Sequence, residues 1–551
     1  MGGNLRAAYG AQAALARKKF LDALEPDKAR AAQATLLEQC VGANAETVFG
    51  RDHGFANIRD IDAYRAQVPI RHYEQLSPWI ERATEAEPSV LTKNDPLRFW
   101  KTTGTTSRAK RIPVTSASQA RVTESFLALQ GTQMHYYPQT NERADTTLVA
   151  HISPKPIKEY LGGGKFPFCS TTEVPVDINP RSAGFIAPWL APLQQTPEND
   201  AERLYFLLLF TSLHDLRAIY CLHPSRFQTI ASALEKSVGR LTGELRAGTL
   251  LGVAAREPRP DRAAELLAIA ERTGTLKPSD VWPNLVYVSS WSGSYISRYM
   301  PVIESHFSRQ FLAMPSISSE CFLTMTIDED RIGQPLNIRG GIFEFIPSET
   351  KVEEHTPTLQ FHELSVDATY EVVITTLAGL YRYATADIFR VTGFAGGVPR
   401  FEYIGRRSVS DLTGEKLAEE QVSDVMKAVL GARDLSGANF TLCAVQDDGS
   451  GVKPRYVLAL EAAISADAAA ELAAQIDTRF RSTNSRYELK RNFNDLDPVR
   501  VDVLAPGTFA EYRALLIKRG MPAGQLKDRV LYAVGRPVLA DLLALSRALR
   551  P

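Results

Sequence analysis

The sequence predicts a mixed α/β fold: a large N-terminal domain and a smaller α+β C-terminal domain, joined by a hinge. Short apolar and β-branched runs alternate with longer segments of helical periodicity. The chain has 551 residues, more than one hydrophobic core normally serves. Gly405 and Gly414 bracket a polar stretch, which is typical of a hinge. We therefore expect a domain of residues 1–405 followed by one of residues 406–551.

The N-terminal residues predict two helices. Apolar residues recur at helical spacing over residues 5–24, Pro26 and Asp27 interrupt the pattern, and a second run continues to Cys40. We expect these two helices to pack on each other. Helical periodicity returns over residues 116–134.

The middle of the chain predicts a mixed α/β core. Residues 147–152 are typical of a buried strand, whereas residues 206–210 form an apolar run too short to assign alone. Strand-like and helical segments then alternate up to residue 289. Two further strands are predicted at residues 372–376 and 388–391, which would place Asp387 in a loop between them.

The C-terminal domain begins with a helix predicted near Ala418. A strand over residues 456–460 and a helix over residues 465–480, with Ser465 as its N-cap, continue the α+β pattern. Lys527 lies on a tight loop that contains Gly520 and Gly524.

Composition and charge exclude several classes of protein. Lys plus Arg equals Asp plus Glu at 63 each, and the cationic residues are dispersed along the sequence. The charges therefore create no positive electrostatic field that would attract nucleic acid or anionic lipid. The longest apolar run, residues 204–210, is too short to span a bilayer. We therefore expect a cytoplasmic protein that binds neither nucleic acid nor membrane, with a monomer as the default.

The cysteines and histidines carry no metal or disulfide pattern. The five cysteines are far apart and include no C-x-x-C pair, which argues against a disulfide framework or a zinc site and favours a reducing compartment. The nine histidines form no H-x-x-x-H pair, which disfavours a metallohydrolase, and we expect His53 and His72 to be structural. No Gly-x-Ser-x-Gly elbow is present, so hydrolase chemistry lacks its nucleophile signature.

A hydroxyl-rich stretch is the strongest candidate for a binding site. Its candidate ligand-binding residues are Thr102, Thr103, Gly104, Thr105, Thr106 and Lys110. A backbone with so few bulky side chains can form a concavity of N–H groups, and the hydroxyls and the lysine add donors for a phosphate. The alternative is a solvated loop with two neighbouring cations. The stretch is not a Walker A loop, because Gly-Lys-Ser/Thr does not occur at the required spacing.

The same stretch resembles the phosphate loop of adenylate-forming enzymes. Its form, Thr-Gly-Thr-Thr-Ser-Arg-Ala-Lys-Arg-Ile-Pro, is most similar to that of the auxin-responsive Gretchen Hagen family of acyl acid amido synthetases. Further motifs of that family follow in order and cover nearly the whole chain: Ser-Ser-Glu-Cys at 318–321, Gly-Leu-Tyr-Arg-Tyr at 379–383 with Asp387, Lys416, Gln-Leu-Lys at 525–527, Trp291-x-Gly293, Tyr299 and Asn484-x-x-Tyr487.

The resemblance implies a ligase that uses ATP and Mg²⁺. It would adenylate a small carboxylic acid and pass the acyl group to an amine, in this family an amino acid, while the C-terminal domain rotates between the two steps. The acid could be an indole, benzoate or fatty-type carboxylate, in a pocket that includes residues 287–299 and parts of residues 120–220.

The resemblance also implies roles for individual residues. The loop residues and Ser319 would bind the phosphates, Glu320 would hold Mg²⁺ and Asp387 would bind ribose. Arg406 or Arg407 would donate to ribose or to the α-phosphate. Lys416 and Lys527 would neutralise charge that develops on the α-phosphate.

Three positions depart from the family pattern. Ser107 and Ala386 stand where glycine is usual, and Ser316 stands where a tyrosine is usual. Without that tyrosine, the ring of Tyr381 or Phe322 would have to pack against adenine.

Two other functions remain open at this point. The chain could be an adenylating ligase that uses coenzyme A or a carrier-protein thiol as acceptor; the absence of a phosphopantetheine-carrier domain favours a free small acceptor. It could also be a binding protein that keeps the fold and senses a small acid or nucleotide without catalysis. Pyrophosphate release separates these functions.

Overall fold

The computed structural model of the protein describes the chain except residues 1, 103–108, 153–155, 173–186, 195–199, 251, 255, 294–298, 308–309, 408, 411, 414, 447–452, 522–525, 527, 534–536 and 551.

The α-helices of the described chain are Gly2–Asp22 (α1), Pro26–Cys40 (α2), Val48–Asp52 (α3), Ile61–Gln67 (α4), Tyr73–Thr84 (α5), Ser116–Tyr136 (α6), Leu190–Gln194 (α7), Asp200–Thr211 (α8), Ser225–Ala247 (α9), Pro260–Thr273 (α10), Pro278–Val281 (α11), Met300–His306 (α12), Glu419–Gly431 (α13), Ala466–Thr483 (α14), Ser485–Asn492 (α15), Thr508–Lys518 (α16) and Val538–Leu549 (α17).

The strands are Arg98–Thr102 (β1), Lys110–Val114 (β2), Thr147–Val149 (β3), Tyr160–Leu161 (β4), Phe166–Cys169 (β5), Ala218–Tyr220 (β6), Thr249–Leu250 (β7), Val253–Ala254 (β8), Tyr287–Trp291 (β9), Phe311–Met314 (β10), Gln334–Pro335 (β11), Ile342–Pro347 (β12), Thr369–Thr375 (β13), Tyr383–Ala395 (β14), Val398–Arg406 (β15), Val409–Ser410 (β16), Leu417–Ala418 (β17), Asn439–Val445 (β18), Arg455–Glu461 (β19), Arg500–Leu504 (β20) and Leu531–Tyr532 (β21).

The chain divides into two compact units. The larger unit comprises residues 1–292, 302–385 and 389–402, and the smaller one comprises residues 293–301, 386–388 and 403–551. Two short segments from earlier in the sequence thus belong to the C-terminal unit, and one of them contains Asp387.

The two N-terminal helices lie where the sequence predicts them, but α1 packs along α6 and not along α2. Pro26 occupies the first turn of α2, where its missing N–H costs no hydrogen bond. Gly131 of α6 explains the close approach, because an added Cβ would lie 2.3 Å from the carbonyl oxygen of Ala13 in α1. That close contact joins residues far apart in sequence, so helical periodicity alone does not reveal it.

A parallel sheet forms the centre of the larger unit. Its strand order is β10-β9-β6-β3, and each neighbouring pair is parallel. The predicted strand near residue 147 is β3, which confirms the mixed α/β core. The apolar run that the sequence left unassigned belongs to helix α8, and all of its residues from 204 to 209 are buried.

Two further sheets complete the larger unit's main framework. The first has the order β2-β1-β5-β4, in which β1 and β2 are an antiparallel hairpin. The second has the order β11-β15-β14-β13-β12. The prediction that Asp387 lies in a loop between two strands is wrong, because a single strand, β14, contains it. Ile388, Phe389 and Val391 favour an extended chain, and that chain begins before Asp387, at Tyr383.

The smaller unit is a sheet with helices on both faces. Its main sheet has the order β20-β19-β18-β21. Leu442 and Leu458 pack with α13 and α14, whereas the adjacent Cys443 and Ala459 pack with α16 and α17. Side chains alternate between the faces of a strand, so this pattern requires a layer on each side.

Two helix starts in the smaller unit are confirmed. Helix α13 begins at Glu419, next to the predicted position. Ser465 caps α14, and its hydroxyl oxygen accepts a hydrogen bond from the N–H of Ala468 at 3.2 Å.

His53 is held by contacts with neighbouring side chains and main chain. The ring of His53 stacks on Phe49 at 3.9 Å, and its two nitrogens contact the Phe49 carbonyl and the Arg71 guanidinium.

The five cysteines are free thiols, and each is buried. No helix in the described residues has both the length and the apolar character to cross a membrane.

Candidate active site

The hairpin β1–β2 holds the two described ends of the hydroxyl-rich stretch. Thr102 and Lys110 are directly opposite each other in the ladder, which places their side chains on the same face. Thr103, Gly104, Thr105 and Thr106 lie outside the described residues. The Thr102 hydroxyl oxygen is buried and has no hydrogen-bond partner in the described structure.

Lys110 is held between two tyrosines of the larger unit. Its ammonium donates to the hydroxyl of Tyr383 at 3.0 Å. It also lies 5.3 Å from the ring centroid of Tyr73 and 5.7 Å from that of Tyr383, which are cation–π distances. Neither tyrosine is predicted from the sequence to be a site residue, although Tyr383 is the last residue of the Gly-Leu-Tyr-Arg-Tyr motif.

Glu320 lies on a tight turn after β10. The N–H of Ser318 donates to the Cys321 carbonyl at 2.9 Å, and the Ser318 hydroxyl accepts from the N–H groups of Glu320 and Cys321 at 3.2 Å each. The Glu320 carboxylate has no hydrogen bond or ion pair within the described chain. The turn also contains Ser319, so both predicted ligands are presented by one short, hydrogen-bonded loop.

The carboxylate of Glu320 could serve as one ligand of a metal ion. Among the described residues, no group of three or more His, Cys, Asp or Glu side chains could hold an ion alone. Mg²⁺ commonly takes one or two protein carboxylates and completes its shell with phosphate oxygens and water. A single carboxylate such as Glu320 therefore fits this mode of binding.

Tyr381 is a core residue in this structure. Its side chain is fully buried, its hydroxyl donates to the Leu91 carbonyl at 2.6 Å, and its ring stacks on Phe49 at 4.6 Å. It offers no surface on which adenine could pack. Phe322 is also buried, and its ring meets the edge of Phe126 at 4.8 Å.

The residue after Tyr381 forms a buried ion pair that the sequence analysis missed. The guanidinium of Arg382 donates to both carboxylate oxygens of Glu344, at 3.0 and 2.8 Å, and both residues are 1% exposed. Arg382 also donates to the carbonyls of Arg65 and Val68. These bonds join β12 and the segment around α4 to the motif that ends at Tyr383. They therefore hold in place the tyrosine to which Lys110 donates.

Asp387 and Arg406 lie together in the smaller unit. The Arg406 Nε atom is 2.8 Å from the Asp387 Oδ1 atom, and the side chains are 37% and 18% exposed. Ala386, directly before the aspartate, has a φ of +62°. Its carbonyl accepts from the N–H of Arg407 at 2.6 Å. The structure thus brings two predicted nucleotide-binding residues into one contact.

Lys416 is exposed and has a left-handed backbone, with a φ of +50°. Lys527 lies outside the described residues. Its neighbour Asp528 accepts hydrogen bonds from the hydroxyl of Tyr299 at 2.6 Å and from the guanidinium of Arg513 at 2.9 Å. The motif residue Tyr299 therefore contacts the residue next to the predicted lysine.

An aromatic cluster packs against the parallel sheet. Tyr137, Tyr220 and Tyr287 are buried in it, together with Met314 and the partly buried Trp291. Trp291 and Met314 end β9 and β10, and in open α/β sheets ligands bind beyond the carboxyl ends of the strands. The acyl pocket that the sequence predicts at residues 287–299 stays a prediction.

A separate cavity lies at the opposite edge of the same sheet. It has a volume of about 250 Å³ and is lined by residues that precede β6 and β9, among them His214, Arg262 and Trp282. It lies at the amino ends of the strands, so we do not assign it to the acid.

Comparison with known proteins identifies relatives over almost the whole chain. Family sequence models match in order: the GH3 family N-terminal domain at residues 17–311, its central domain at 335–406 and its C-terminal domain at 420–533. The chain is 24% identical to the indole-3-acetic acid-amido synthetase GH3.8 of Oryza sativa subsp. indica, with 95% of this chain and 91% of the relative covered. It is 25% identical to the indole-3-acetic acid-amido synthetase GH3.15 of Arabidopsis thaliana, with 90% and 89% covered.

A solved structure shares the fold. The acyl acid amido synthetase AtGH3.15 in complex with 2,4-DB superimposes with a TM-score of 0.79 at 19% identity, covering 96% of this chain and 95% of that one.

Proposed function

Since the chain belongs to the GH3, or Gretchen Hagen, family, we propose that it is an ATP- and Mg²⁺-dependent acyl acid amido synthetase. It would join a small carboxylic acid to an amine through an amide bond, with an amino acid as the expected acceptor. Relatives named as indole-3-acetic acid-amido synthetases support an acid of the aryl-acetic type.

The reaction proceeds in two displacements. A carboxylate oxygen of the acid attacks the α-phosphorus of ATP, the bond to the β-phosphate oxygen breaks, and pyrophosphate leaves. The nitrogen of the amine then attacks the acyl carbon, AMP leaves with the electrons of the broken bond, and the nitrogen loses a proton. ATP is needed because a free carboxylate has no leaving group that an amine can displace at neutral pH.

The larger unit supplies the phosphate and metal ligands. Thr102, Lys110 and the intervening loop would donate to the phosphate oxygens, with Ser319 as a further donor. Glu320 would hold Mg²⁺, which offsets the charge of the phosphates. Tyr73 and Tyr383 would keep the Lys110 ammonium in place.

The smaller unit supplies the sugar ligand and the cations. Asp387 would accept hydrogen bonds from the ribose hydroxyls, and Arg406 would donate to ribose or the α-phosphate. Lys416 and Lys527 would offset charge that develops on the α-phosphate. We propose that residues 406–551 act as a mobile domain between the two displacements, with the polar stretch between Gly405 and Gly414 as its hinge.

One observation carries the proposal: Lys110 pairs with Thr102 at the loop end of the β1–β2 ladder, and two tyrosines restrain its ammonium. The lysine of a merely solvated loop would not need such restraint.

We also propose a cytoplasmic location and a monomeric enzyme. Five free, buried thiols suit a reducing compartment.

Acid-dependent release of pyrophosphate tests the function. Purified enzyme, ATP and Mg²⁺ are incubated with a panel of indole, benzoate and aliphatic acids and the twenty amino acids, and products are identified by mass. We expect release that needs an acid and stops in Lys110→Ala, together with an amide of the expected mass. The matched control is Lys351→Ala, which removes an exposed lysine of the larger unit.

The alternatives give different results. A thioester with coenzyme A and no amide with any amino acid would establish the coenzyme A ligase. ATP binding without pyrophosphate release from any acid would establish the binding protein.

A further inference from the structure

Lys416 has an unusual backbone for its residue type. Its φ of +50° lies in the left-handed region, which costs a residue with a Cβ roughly 1–2 kcal/mol. Glycine would avoid this cost. The Lys416 ammonium has no hydrogen bond or ion pair with the part of the chain that the structure describes. Among the described residues, no side-chain hydrogen bond or ion pair of Lys416 therefore offsets the cost of its backbone conformation.

The residue before it is a completely buried carboxylate. Glu415 accepts hydrogen bonds from the N–H groups of Leu412 and Thr413, each at 2.8 Å, and from the hydroxyl of Tyr456. Burial raises the pKa of Glu415, but these hydrogen bonds outweigh it and hold the pKa below its ordinary value. Glu415 is thus a buried anion with a dedicated set of donors.

The main chain on both sides of Lys416 is fixed as well. Asn484 donates from Nδ2 to the carbonyl of Glu415 at 3.1 Å. The same side chain accepts from the N–H of Tyr487 at 2.9 Å, which anchors it to the start of α15. On the other side, Leu417 pairs with Ser410 in the β16–β17 ladder. The backbone at Lys416 therefore cannot rotate without breaking several buried hydrogen bonds.

We propose that Glu415, Tyr456 and Asn484 form a clamp whose function is to position Lys416 for the reaction. This inference rests on the proposed function, in which the lysine offsets charge on the α-phosphate. A buried charge is costly, and a hydrophobic residue at position 415 would be the cheaper structural solution. Strain together with a buried anion is the signature of a preorganised residue. The three are positioning residues, because they act through Lys416.

Tyr456→Phe is the decisive variant, since it removes one hydroxyl donor and keeps the ring. We expect kcat for pyrophosphate release to fall by about tenfold or more, because a small misplacement of a reacting group is costly, whereas KM for ATP changes little. Tyr512→Phe is the matched control: it also removes one hydroxyl from a buried tyrosine of the same unit, but Tyr512 lies in the core cluster on the opposite face of the sheet. It should leave kcat unchanged.

A double-mutant cycle separates positioning from a general loss of structure. If Tyr456 acts through Lys416, then Tyr456→Phe has no further effect on kcat in the Lys416→Ala background. Multiplicative effects of the two changes would overturn the positioning role.

Trypsin provides a readout that needs no activity. Cleavage after Lys416 requires an extended, mobile backbone, so we expect slow cleavage in the wild-type protein and in Tyr512→Phe, and several-fold faster cleavage in Tyr456→Phe. Equal rates in the two variants would overturn the clamp. Absence of pyrophosphate release in the wild-type enzyme would overturn the proposed function and the catalytic part of this inference, while the trypsin result would decide the clamp itself.

Discussion

The Nε atom of Arg406 lies 2.8 Å from the Oδ1 atom of Asp387. The carboxylate that we assign to ribose therefore already has a cationic partner within the same compact unit. A carboxylate has about four acceptor sites, so one guanidinium contact does not exclude hydrogen bonds from sugar hydroxyls. In the proposed function, the pair would orient the carboxylate before a nucleotide binds.

Replacing Asp387 should weaken ATP binding more than it weakens the fold. In Asp387→Ala we expect KM for ATP to rise by about 10–100-fold, since hydrogen bonds to a charged group contribute ~1.5–3 kcal/mol. Pyrophosphate release at varied ATP measures it. Asp502→Ala is the control, because Asp502 forms an ion pair with Arg500 at the same 2.8 Å and is equally exposed at 18%. Equal KM values in the two variants would contradict the assignment.

Replacing Glu320 should raise the Mg²⁺ concentration that the enzyme requires. Glu320→Gln keeps the shape of the side chain but removes its charge, so we expect the Mg²⁺ concentration for half-maximal rate to rise by about tenfold, with recovery at high Mg²⁺. Glu349→Gln, an exposed glutamate in the turn after β12, should leave the requirement unchanged. A Glu320→Gln enzyme with the wild-type Mg²⁺ dependence would show that this carboxylate does not bind the metal.

Local features of the fold could be predicted from the sequence. The proline of α2, the serine cap of α14 and the strand at β3 each follow from residues within one element. The order of short motifs likewise identified the family, which the domain matches confirm. These signals are local, or they depend only on order along the chain.

Contacts between distant segments could not be predicted. The partner of Arg382 lies 38 residues away, and the contact of α1 with α6 joins residues more than one hundred positions apart. Periodicity reports which face of an element is apolar but not which element covers it. Tyr381 shows the same limit: an aromatic residue in a motif can serve a ligand or the core, and only its burial distinguishes these roles.

The Arg382–Glu344 pair should be essential for stability. Removing one member leaves an uncompensated buried charge, so we expect Glu344→Ala to lower the free energy of unfolding by about 3–5 kcal/mol. Glu353→Ala, which breaks the exposed Lys351–Glu353 pair, should change it by less than about 1 kcal/mol. Urea unfolding followed by tryptophan fluorescence compares the two variants. Similar midpoints would show that the Arg382–Glu344 pair contributes no more than a surface contact.

The cysteines should be unreactive until the protein unfolds. Burial raises the pKa of the Cys40, Cys221 and Cys443 thiols to about 12, so almost no thiolate exists at pH 8. With Ellman's reagent, we expect little reaction in buffer and five thiols per chain in guanidinium chloride. Rapid modification of one or more thiols in the native protein would contradict the burial.

Glycine at position 386 should stabilise the protein. Ala386 adopts a φ of +62° directly before Asp387. A Cβ in this region costs roughly 1–2 kcal/mol, which glycine avoids. Glycine also raises the conformational entropy of the unfolded chain, which lowers the stability of the folded state by about 0.4–1 kcal/mol. We therefore expect Ala386→Gly to raise the free energy of unfolding by about 0.5–1 kcal/mol and to preserve KM for ATP.

Ala384→Gly is the control in the same strand. Ala384 is buried and its φ is not positive. Glycine at this position would remove the packing of the methyl group and raise the entropy of the unfolded chain, so it should lower the free energy of unfolding by about 1 kcal/mol. Thermal unfolding of the three proteins gives the order directly: Ala386→Gly should melt above the wild-type chain and Ala384→Gly below it. Destabilisation by both variants would mean that the left-handed backbone at Ala386 carries no strain.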